Sequence, residues 1–311
     1  MATYLIKRIL HSVPVIVGIT LFSFILIHLV PGDPIRLMVG GKAPASVVKN
    51  IDHQLGLDRP LPTQYVDFVE NALQGDLGES IVLRRPVSSV VGERIGPSLF
   101  LLGYGTLIGI LLALPLGIAS ARWRNRLPDH LTRLLTLVTF AMPPFWLGLL
   151  LVRKFSLDYG WFPVSGYGTG FLGHVHSLTL PALTIGLFLA SMLIRSLRAS
   201  LIEIFATEYI EAVRARGASE ARVVLKHSLR NALISTITVL TVNLGFLIGG
   251  AVIVEKVFDV PGMGQLLVDS IFTRDFPVIQ GLTLVFGVLV VSLNLLADLA
   301  YAAIDPRVRL A

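Results

Sequence analysis

The fold class is decided by residues Leu99–Ala119, which have the sequence LFLLGYGTLIGILLALPLGIA. This stretch contains no charged side chain, and about 20 consecutive apolar residues are enough for a helix to cross the core of a bilayer. The rest of the chain agrees with this, because only 15% of its 311 residues are charged. A soluble domain has about 25% charged residues. The sequence therefore predicts a helix that spans a membrane.

Further apolar stretches lie on both sides of this one. The first is too long for the apolar core of a signal peptide and lacks a cleavage site, so we predict a retained helix. The third contains Met142-Pro143-Pro144, which predicts a kink. The predicted fold is all-α, a polytopic membrane protein with six transmembrane helices and a helical external segment. The six predicted spans are Ile9–Val30, Leu99–Ala119, Leu131–Val152, Leu178–Ile194, Leu233–Val254 and Val278–Ala303.

The spans divide the chain into an N-terminal helix (1–30), an external segment (31–97) and a five-helix core (98–311) with a cytoplasmic loop at 195–231. The external segment is too long for a structureless loop. In it, Tyr65, Phe68 and Leu73 recur at helical spacing after a possible cap at Thr63. We therefore predict a small helical region that serves docking.

The basic residues lie in particular loops, which predicts the orientation in the membrane. Cytoplasmic loops of membrane proteins are enriched in Lys and Arg. The enriched regions here are the two ends of the chain and the second and fourth loops, so both termini are predicted to be cytoplasmic. This asymmetry accounts for the net charge of +6, and the basic residues are not interleaved with aromatic residues, so no nucleic-acid partner is predicted.

Small residues four apart form a ladder in the second span, made of Gly105, Gly109, Ala113 and Gly117. Such a ladder lets two helix backbones approach closely. Gly245 and Gly249 repeat the spacing in the fifth span. We predict helix packing at these positions, with a pore-lining role as the alternative.

The loop 195–231 has the pattern of a helix, a turn and a second helix. Ile202, Phe205, Tyr209 and Val213 form one stripe of the first helix, with the acidic residues opposite. Gly217 stands where a glycine ends a helix, and Ser219 is placed to cap the next one. The pattern alone allows an interfacial anchor or a docking element. The carboxylates on its polar edge, Glu203, Glu208 and Glu211, disfavour docking on anionic lipid.

The same loop carries a family resemblance. Glu211-Ala212-Val213-Arg214-Ala215-Arg216-Gly217 resembles the EAA motif of bacterial ABC importer permeases. His227-Ser228-Leu229-Arg230-Asn231-Ala232 resembles its dipeptide and oligopeptide form, in which Arg230 replaces a proline common elsewhere in the superfamily. In that family this segment is the coupling helix, which docks on the ATP-binding subunit. The resemblance implies a coupling role for Glu208, Glu211, Ala212, Arg214, Gly217, His227, Arg230 and Asn231.

Similar fragments occur along nearly the whole chain. Their order and spacing resemble the B-type permease of peptide systems, a pattern shared by glutathione and nickel permeases. The His227-centred match and the 255–280 stretch are most similar to the glutathione type. The fragments are Pro31-Gly32-Asp33-Pro34, Leu55-Gly56-Leu57-Asp58, Gly75-Asp76-Leu77-Gly78, Arg85-Pro86-Val87, Glu255-Lys256-Val257-Phe258, Pro261-Gly262-Met263-Gly264, Arg274-Asp275-Phe276-Pro277-Val278 and Asp305-Pro306-Arg307.

The resemblance implies an importer of peptides or related small solutes in the bacterial inner membrane. Its implied partners are a second, different permease subunit, two ATP-binding subunits, an external solute-binding protein and membrane lipid. The mechanism it implies is alternating access, with the solute passing between the two permeases.

The residues themselves exclude some functions. A phosphate-binding Gly-x-x-x-x-Gly-Lys-Ser/Thr loop is absent, and the nearest fragment, Gly40-Gly41-Lys42-Ala43, lacks the spacing. No cofactor is therefore expected in this chain, and ATP would be bound by partner subunits. No Ser-His-Asp or paired-carboxylate arrangement indicates an enzyme. His174 and His176 could reach a metal, but no nearby carboxylate completes a set, so a plain polar loop is favoured.

Polar residues inside the spans bear on the alternative of a secondary transporter. Such a protein needs intramembrane charges for ion coupling and often has an inverted repeat. Here the spans carry few charges and no repeat is visible. Asp298 and Asn294 in the sixth span and Asn243 in the fifth are candidates for a role in the pathway or for bonds between helices.

Overall fold

The computed structural model describes residues 2–29 and 59–304, with side chains described for residues 10–25 and 59–296. Within these ranges the regular elements are all helical, and Glu79 and Pro86 form an isolated bridge. The predicted all-α fold is confirmed. The described chain forms two compact units, one built from 97–265 and the chain from 292, the other from the described parts of 2–96 and 266–291.

Ten helices are described in chain order, several of them long and apolar. The helices are α1 (Ala2–Leu29), α2 (Leu61–Leu73), α3 (Val87–Arg122), α4 (Leu127–Ala141), α5 (Pro144–Asp158), α6 (Gly170–Phe205), α7 (Glu208–Ala215), α8 (Glu220–Val257), α9 (Met263–Thr273) and α10 (Phe276–Ile304). Helices α5 and α8 each contain a wider π-helical turn, Val152–Asp158 and Val223–Ser228.

Helix α6 is the centre of the first unit. In its most apolar stretch 67% of the residues are buried, against 22% to 28% in α3, α8 and α10. It contacts α4, α5 and α8. The outer faces of the other long helices remain exposed and apolar, as expected for helices that contact lipid or a second membrane subunit.

The glycine ladder of α3 packs directly on α6, as predicted. A Cβ added at Gly105 would lie 3.0 Å from the Ile185 side chain, and one at Gly117 would lie 2.8 Å from Leu197. A side chain at either position would have to displace its neighbour on α6, so the glycines allow the close approach of the two helices. The repeat in α8 differs, because nothing lies within 4 Å of a Cβ built at Gly249.

The proline pair breaks the third predicted span more strongly than a kink. Helix α4 ends at Ala141, α5 begins at Pro144, and the two are bent by 108°. Met142 between them is extended, since the residue before a proline avoids the helical region. The kink predicted within Leu131–Val152 is therefore a complete break, and the region is a broken span or a re-entrant pair.

The number of spans depends on how the bent pair of helices is counted. Four described helices are long and apolar enough to cross a membrane, namely α3, α6, α8 and α10. The bent pair α4 and α5 would make five, and the described part of α1 contributes a shorter apolar helix, Leu10–Ile25. The predicted count of six is thus not reproduced by length and apolarity alone.

The external segment was predicted to be helical, and its described part contains α2. Residues 31–58 lie outside the described residues. The cap predicted at Thr63 is wrong, because α2 begins at Leu61 with Pro60 at the N-cap and a proline in its first turn. Proline is favoured there, since its missing N–H would have no partner in the helix. Helix α3 begins at Val87, inside the segment predicted as external, and has Pro97 in its interior.

The segment after α8 was not predicted to be helical, yet it contains α9. The Glu255 side chain is 1% exposed and accepts hydrogen bonds from Ser98 Oγ (2.6 Å) and the Gly264 N–H (2.7 Å). The Glu255 carboxylate therefore satisfies donors at the start of α9 and positions that start against α3. A Cβ at Gly262 would lie 2.3 Å from a Glu255 oxygen, which explains why the fragment Pro261-Gly262-Met263-Gly264 has a glycine at this position.

In the second unit, Asp275 has a similar role. It is 2% exposed, accepts a hydrogen bond from Ser80 Oγ, and accepts from the N–H groups of Ile81 (3.1 Å) and Val82 (3.3 Å). The turn before α10 is thereby attached to the segment between α2 and α3.

Candidate functional site

The segment singled out by the sequence is a helical hairpin, which we call the coupling hairpin and define as residues 208–231. It consists of α7, a turn at Gly217 and the first part of α8. Its inner side is a small apolar cluster of Ile210, Val213 and Val223. Ile204, at the end of α6, packs against this cluster and attaches the hairpin to that helix, and Ala218 of the turn also packs on it.

The predicted stripe on one continuous helix is wrong. Helix α6 ends at Phe205, and α7 begins at Glu208 after an extended Thr207. The Thr207 hydroxyl donates to the Ile204 carbonyl (2.7 Å) and so satisfies a backbone acceptor at the end of α6. The apolar spacing continues across this break, so periodicity alone does not reveal it. Tyr209, placed on the stripe by the sequence, is 53% exposed.

Gly217 closes α7 with a left-handed conformation, φ +78°. The Gly217 N–H donates to the Arg214 carbonyl (2.9 Å) and the Ala218 N–H to the Val213 carbonyl (3.4 Å). This pair of bonds is the Schellman motif, in which glycine is favoured because a side chain strains the left-handed region. The turn therefore fixes the direction in which the chain leaves α7.

Ser219 occupies the N-cap position of α8, but its side chain makes no capping bond. Its backbone is extended and its carbonyl accepts from the Val223 N–H (2.9 Å). A π-helical turn follows, in which Ser228 Oγ donates to the Val223 carbonyl (3.0 Å). The wider turn contains His227 and shifts the helical register ahead of Asn231, which a purely α-helical interpretation does not predict.

Two side-chain contacts connect the two helices of the coupling hairpin. Arg214 Nε donates to Glu220 Oε1 (2.9 Å), and the Tyr209 hydroxyl lies 2.7 Å from His227 Nδ1. Glu220 Oε2 also lies 4.0 Å from Arg122 Nη1, at the end of α3. Sequence reasoning missed Glu220. The signal that could have indicated Glu220 is its position as an acidic residue in the first turn of a helix, next to the cap position.

The predicted residues fall into two groups. Arg214, Gly217 and His227 hold the coupling hairpin together through the contacts above. Asn231 Nδ2 reaches the His227 carbonyl at 3.5 Å, whereas no hydrogen bond joins Arg230 to α7 in the part of the chain that the structure describes. The other group lies at the surface and consists of Glu208, Glu211, Ala212 and Arg230; Arg214, Gly217 and Asn231 are exposed as well.

The exposed carboxylates of α7 are available to another molecule. Among the described residues, neither Glu208 nor Glu211 has an ion-pair partner. Both lie in the first turn of α7, where the helix dipole favours negative charge. The coupling hairpin thus presents a short acidic surface of fixed direction, which suits a basic groove on a partner.

A buried ion pair supports the base of the coupling hairpin. Asp129 is fully buried and accepts from Arg198 Nε (2.7 Å) and Nη2 (2.8 Å). It also accepts from Ser120 Oγ (2.6 Å) and the Asn125 N–H (2.9 Å). These bonds hold the turn between α3 and α4 against α6. Arg122 lies next to this turn, so the bonds of Asp129 also position the contact between Arg122 and Glu220. No local pattern indicates a pair whose members are so distant along the chain.

The remaining candidates have local partners. His174 Nδ1 lies 2.9 Å from the Tyr167 carbonyl, and His176 Nε2 lies 2.9 Å from the Trp161 carbonyl. In the described ranges no group of three metal-ligating side chains occurs. Asn243 donates to the Val239 carbonyl (2.7 Å) and lines a cavity between α5, α6 and α8. The side chain of Asp298 lies outside the described residues.

Comparison with known proteins gives a consistent family. Residues 113–310 match the family of binding-protein-dependent transport system inner membrane components, and residues 1–88 match the N-terminal region of such components. The chain is 42% identical over 309 residues to a glutathione transport system permease protein of Salmonella typhimurium. It is 41% identical to that of Escherichia coli, and each alignment covers 99% of both chains.

Solved structures share the fold. An inward-facing methionine ABC transporter matches with a TM-score of 0.58 and 19% identity, covering 70% of this chain and 96% of that one. An amino acid ABC transporter matches with a TM-score of 0.54 and 15% identity, covering 70% and 94%.

Proposed function

Because the chain belongs to the family of binding-protein-dependent inner membrane transport components and is a permease subunit of an ABC importer, we propose that its solutes are glutathione or similar short peptides. It is a multi-pass inner membrane protein and not an enzyme. Membership of the family implies association with ATPase subunits and a substrate-binding protein. The support for the solute is the similarity, over almost the entire length, to glutathione permease proteins.

We propose that the chain pairs with a second, different permease and with two ATP-binding subunits that supply the ATP site. The exposed stripe of α8 is a suitable face toward the second permease or the solute pathway. Its members recur at helical spacing and are Ser235, Thr238, Val242, Phe246, Gly249 and Ile253. Phe246 also borders a cavity of about 310 Å³ lined by Asn243 and Gly250, so this face combines small, polar and aromatic groups.

The coupling hairpin is proposed as the contact with an ATP-binding subunit. The observation that carries this is the pair of exposed carboxylates, Glu208 and Glu211, on a helix whose direction is fixed by the Gly217 turn. The apolar side of α7 is already covered by Val223 and Ile204, so α7 has little apolar surface left to insert into lipid. Motion of an ATPase attached there would be passed to α6 and α8, which adjoin the hairpin.

The proposed orientation has both termini and the coupling hairpin in the cytoplasm, as the basic loops favour. The chain contains no cysteine, so single cysteines can report it. We expect Gln74→Cys, exposed after α2, to react with an impermeant maleimide in intact spheroplasts. Ser219→Cys, exposed in the hairpin, should react only after permeabilisation. Reaction of Ser219→Cys in intact spheroplasts contradicts this orientation.

Uptake by the assembled transporter tests the proposed solute. The chain would be expressed with its partner subunits and binding protein in cells that lack their own glutathione and peptide importers. We expect ATP-dependent uptake of labelled glutathione, with dipeptides and nickel as the comparison solutes. Uptake of nickel but not of glutathione or peptides would overturn the proposed solute class while leaving the family unchanged.

A further inference from the structure

The exposed face of α5 changes in chemical character from one end to the other. Exposed residues recur in pairs four apart, with buried or half-buried residues between them. An α-helical turn has 3.6 residues and a π-helical turn more than four, so the π-helical turn Val152–Asp158 helps to keep the pairs on one face. In chain order the pairs are Phe145-Trp146, Leu149-Leu150, Arg153-Lys154 and Leu157-Asp158.

Two stacked aromatic rings follow the end of this helix. The rings of Tyr159 and Trp161 have their centres 4.9 Å apart, and the Phe155 ring lies 5.7 Å from that of Trp161. The backbone N–H of Trp161 donates to the Phe155 carbonyl (2.9 Å), so the chain folds back onto α5. Tyr159 and Trp161 are nevertheless 49% and 59% exposed. The stack is therefore held in position while about half of its surface stays open.

The basic pair connects the apolar part of the face to the aromatic stack. Lys154 Nζ lies 4.5 Å from the centre of the Tyr159 ring and 3.3 Å from Asp158 Oδ2. Arg153 is exposed, and no carboxylate of the described residues pairs with it. Along one side of α5 the order is thus two apolar pairs, two cations and then the aromatic stack, beside a last pair of mixed character.

This order matches the layers at the surface of a bilayer. Apolar side chains contact acyl chains, and the long side chains of Lys and Arg reach the phosphates. Trp and Tyr concentrate at the headgroups, because each has an apolar ring with one polar group. A protein partner on this face would have to bury the unpaired charge of Arg153, which is costly unless the partner supplies a counter-ion.

We propose that Tyr159 and Trp161, together with Arg153 and Lys154, bind the phospholipid headgroup layer and fix the depth of α5 in the membrane. The phosphates supply the negative charge that Arg153 lacks within the described chain. The proposal depends neither on which side of the membrane this end of α5 faces nor on which solute is carried.

The tryptophans of the chain make the depth of this face measurable. The chain has three, of which Trp146 lies in the first apolar pair and Trp161 in the stack. A helical rise of about 1.5 Å per residue places Trp146 roughly 15–18 Å from Asp158 along α5. The apolar core of a bilayer is about 30 Å thick, so Trp146 should lie near its middle when Trp161 is at its surface.

Fluorescence quenching in the assembled complex of permease and ATPase subunits tests the proposal. The vesicles contain phosphatidylglycerol and a phosphatidylcholine brominated either near the glycerol or near the methyl end of its acyl chains. Trp123→Phe/Trp146→Phe keeps only Trp161, and Trp123→Phe/Trp161→Phe keeps only Trp146. A chain with all three replaced gives the signal of the partner subunits, which is subtracted. We expect the shallow bromine to quench Trp161 more strongly, and the deep bromine to quench Trp146 more strongly.

Iodide in the buffer separates a lipid contact from other surroundings of Trp161. Quenching of Trp161 by iodide and by neither brominated lipid would place the stack in water, and the proposal would be overturned. Protection of Trp161 from iodide and from both lipids would mean that a protein subunit covers the stack, which also overturns it. Identical quenching profiles for Trp161 and Trp146 would show that the two ends of this face do not differ in depth.

Removal of both rings tests whether the stack sets the depth of α5. In the chain that keeps only Trp146, Tyr159→Ala combined with Trp161→Ala should reduce the difference between the two bromines at Trp146. The control in the same chain is Phe171→Ala, which removes a ring that is 70% exposed and outside the stack. It should leave that difference unchanged. An unchanged difference after loss of both rings of the stack would refute its role in fixing the depth.

Discussion

Carboxylates are used in opposite ways in the core and in the coupling hairpin. Asp129 and Glu255 are 0% and 1% exposed, and each accepts hydrogen bonds from backbone and side-chain donors of its own chain. Glu208 and Glu211 are exposed and have no ion-pair partner among the described residues. No buried side-chain polar atom in the described ranges lacks a hydrogen bond. Asp129 and Glu255 therefore maintain the fold, whereas Glu208 and Glu211 remain available for another protein.

The largest loss of stability is expected for Asp129→Ala. Removal of Asp129 leaves the mostly buried Arg198 without its counter-ion and removes the acceptor for Ser120 and the Asn125 N–H. Breaking such a pair lowers the free energy of unfolding by about 3 kcal/mol. The midpoint of thermal unfolding of the purified chain in detergent measures the effect.

The control for this prediction is the double variant Asp129→Ala/Arg198→Leu. Replacing both partners by apolar groups removes the uncompensated charge, so most of the lost stability should return. An unchanged midpoint in Asp129→Ala would mean that this buried carboxylate contributes little, and the contrast between the two regions would fail.

The second largest effect is expected for Gly217→Val. A Cβ there has nothing within 4 Å, so the cost is backbone strain at φ +78° and not a clash. A branched residue in the left-handed region costs about 1–2 kcal/mol. Relief of the strain changes the direction between α7 and α8. We therefore expect a large loss of solute uptake and only a small fall in the midpoint of thermal unfolding. Uptake and thermal unfolding, measured on the same preparation, separate the two effects.

Gly217→Asn is the matched control, because asparagine tolerates the left-handed region better than other non-glycine residues do. It should keep most of the transport. If valine and asparagine were equally active, the direction set by this turn would not matter to the transporter.

Features of the fold that depend on neighbouring residues could be predicted from the sequence. The apolar stretch Leu99–Ala119 predicts a helix, since a charge-free segment of that length can hide its backbone in lipid only as a helix. The turn at Gly217 follows from one residue type in one position. Even the start of α2 had a local signal, because the prolines at 60 and 62 favour the first helical positions over a cap at Thr63.

Features that depend on distant contacts could not be predicted in this way. Asp129 and Arg198 have no regular spacing, and only the packing of α4 on α6 brings them together. The break between Phe205 and Glu208 interrupts a stripe whose spacing continues unchanged. The π-helical turn that contains His227 likewise leaves no trace in the hydrophobic pattern. At the candidate site, the residue types were visible in the sequence, and the contacts that hold them were not.

A smaller effect is expected for Glu220→Gln, which removes the ion pairs to Arg214 and Arg122. These side chains are 39% to 45% exposed, and exposed pairs contribute about 0.2–1 kcal/mol. The thermal midpoint should shift slightly in low salt and less in high salt, because salt screens exposed charges. Arg214→Gln is the partner variant, and a double-mutant cycle isolates the pair. A coupling energy as large as that of the Asp129 pair would contradict the distinction between core and hairpin.

The smallest change in stability is expected for Glu211→Gln, although it should weaken binding of the ATPase. Glu211 is exposed and has no ion-pair partner among the described residues, so the fold loses only its favourable position in the first turn of α7. If a basic group of the ATP-binding subunit faces it, neutralisation should weaken association about fivefold, as for one exposed ion pair of about 1 kcal/mol.

Glu70→Gln, a neutralised exposed carboxylate on α2, is the control for Glu211→Gln and should leave association unchanged. Affinity of the detergent-purified permease for the ATPase, measured at low and high salt, gives a further criterion. Binding through Glu211 is screened by salt, so Glu211→Gln should have a weaker salt dependence than the unaltered chain, whereas Glu70→Gln should match it. If Glu211→Gln and Glu70→Gln bind the ATPase equally, the exposed acids of α7 do not contact it. The coupling hairpin would then be only a support for α6 and α8.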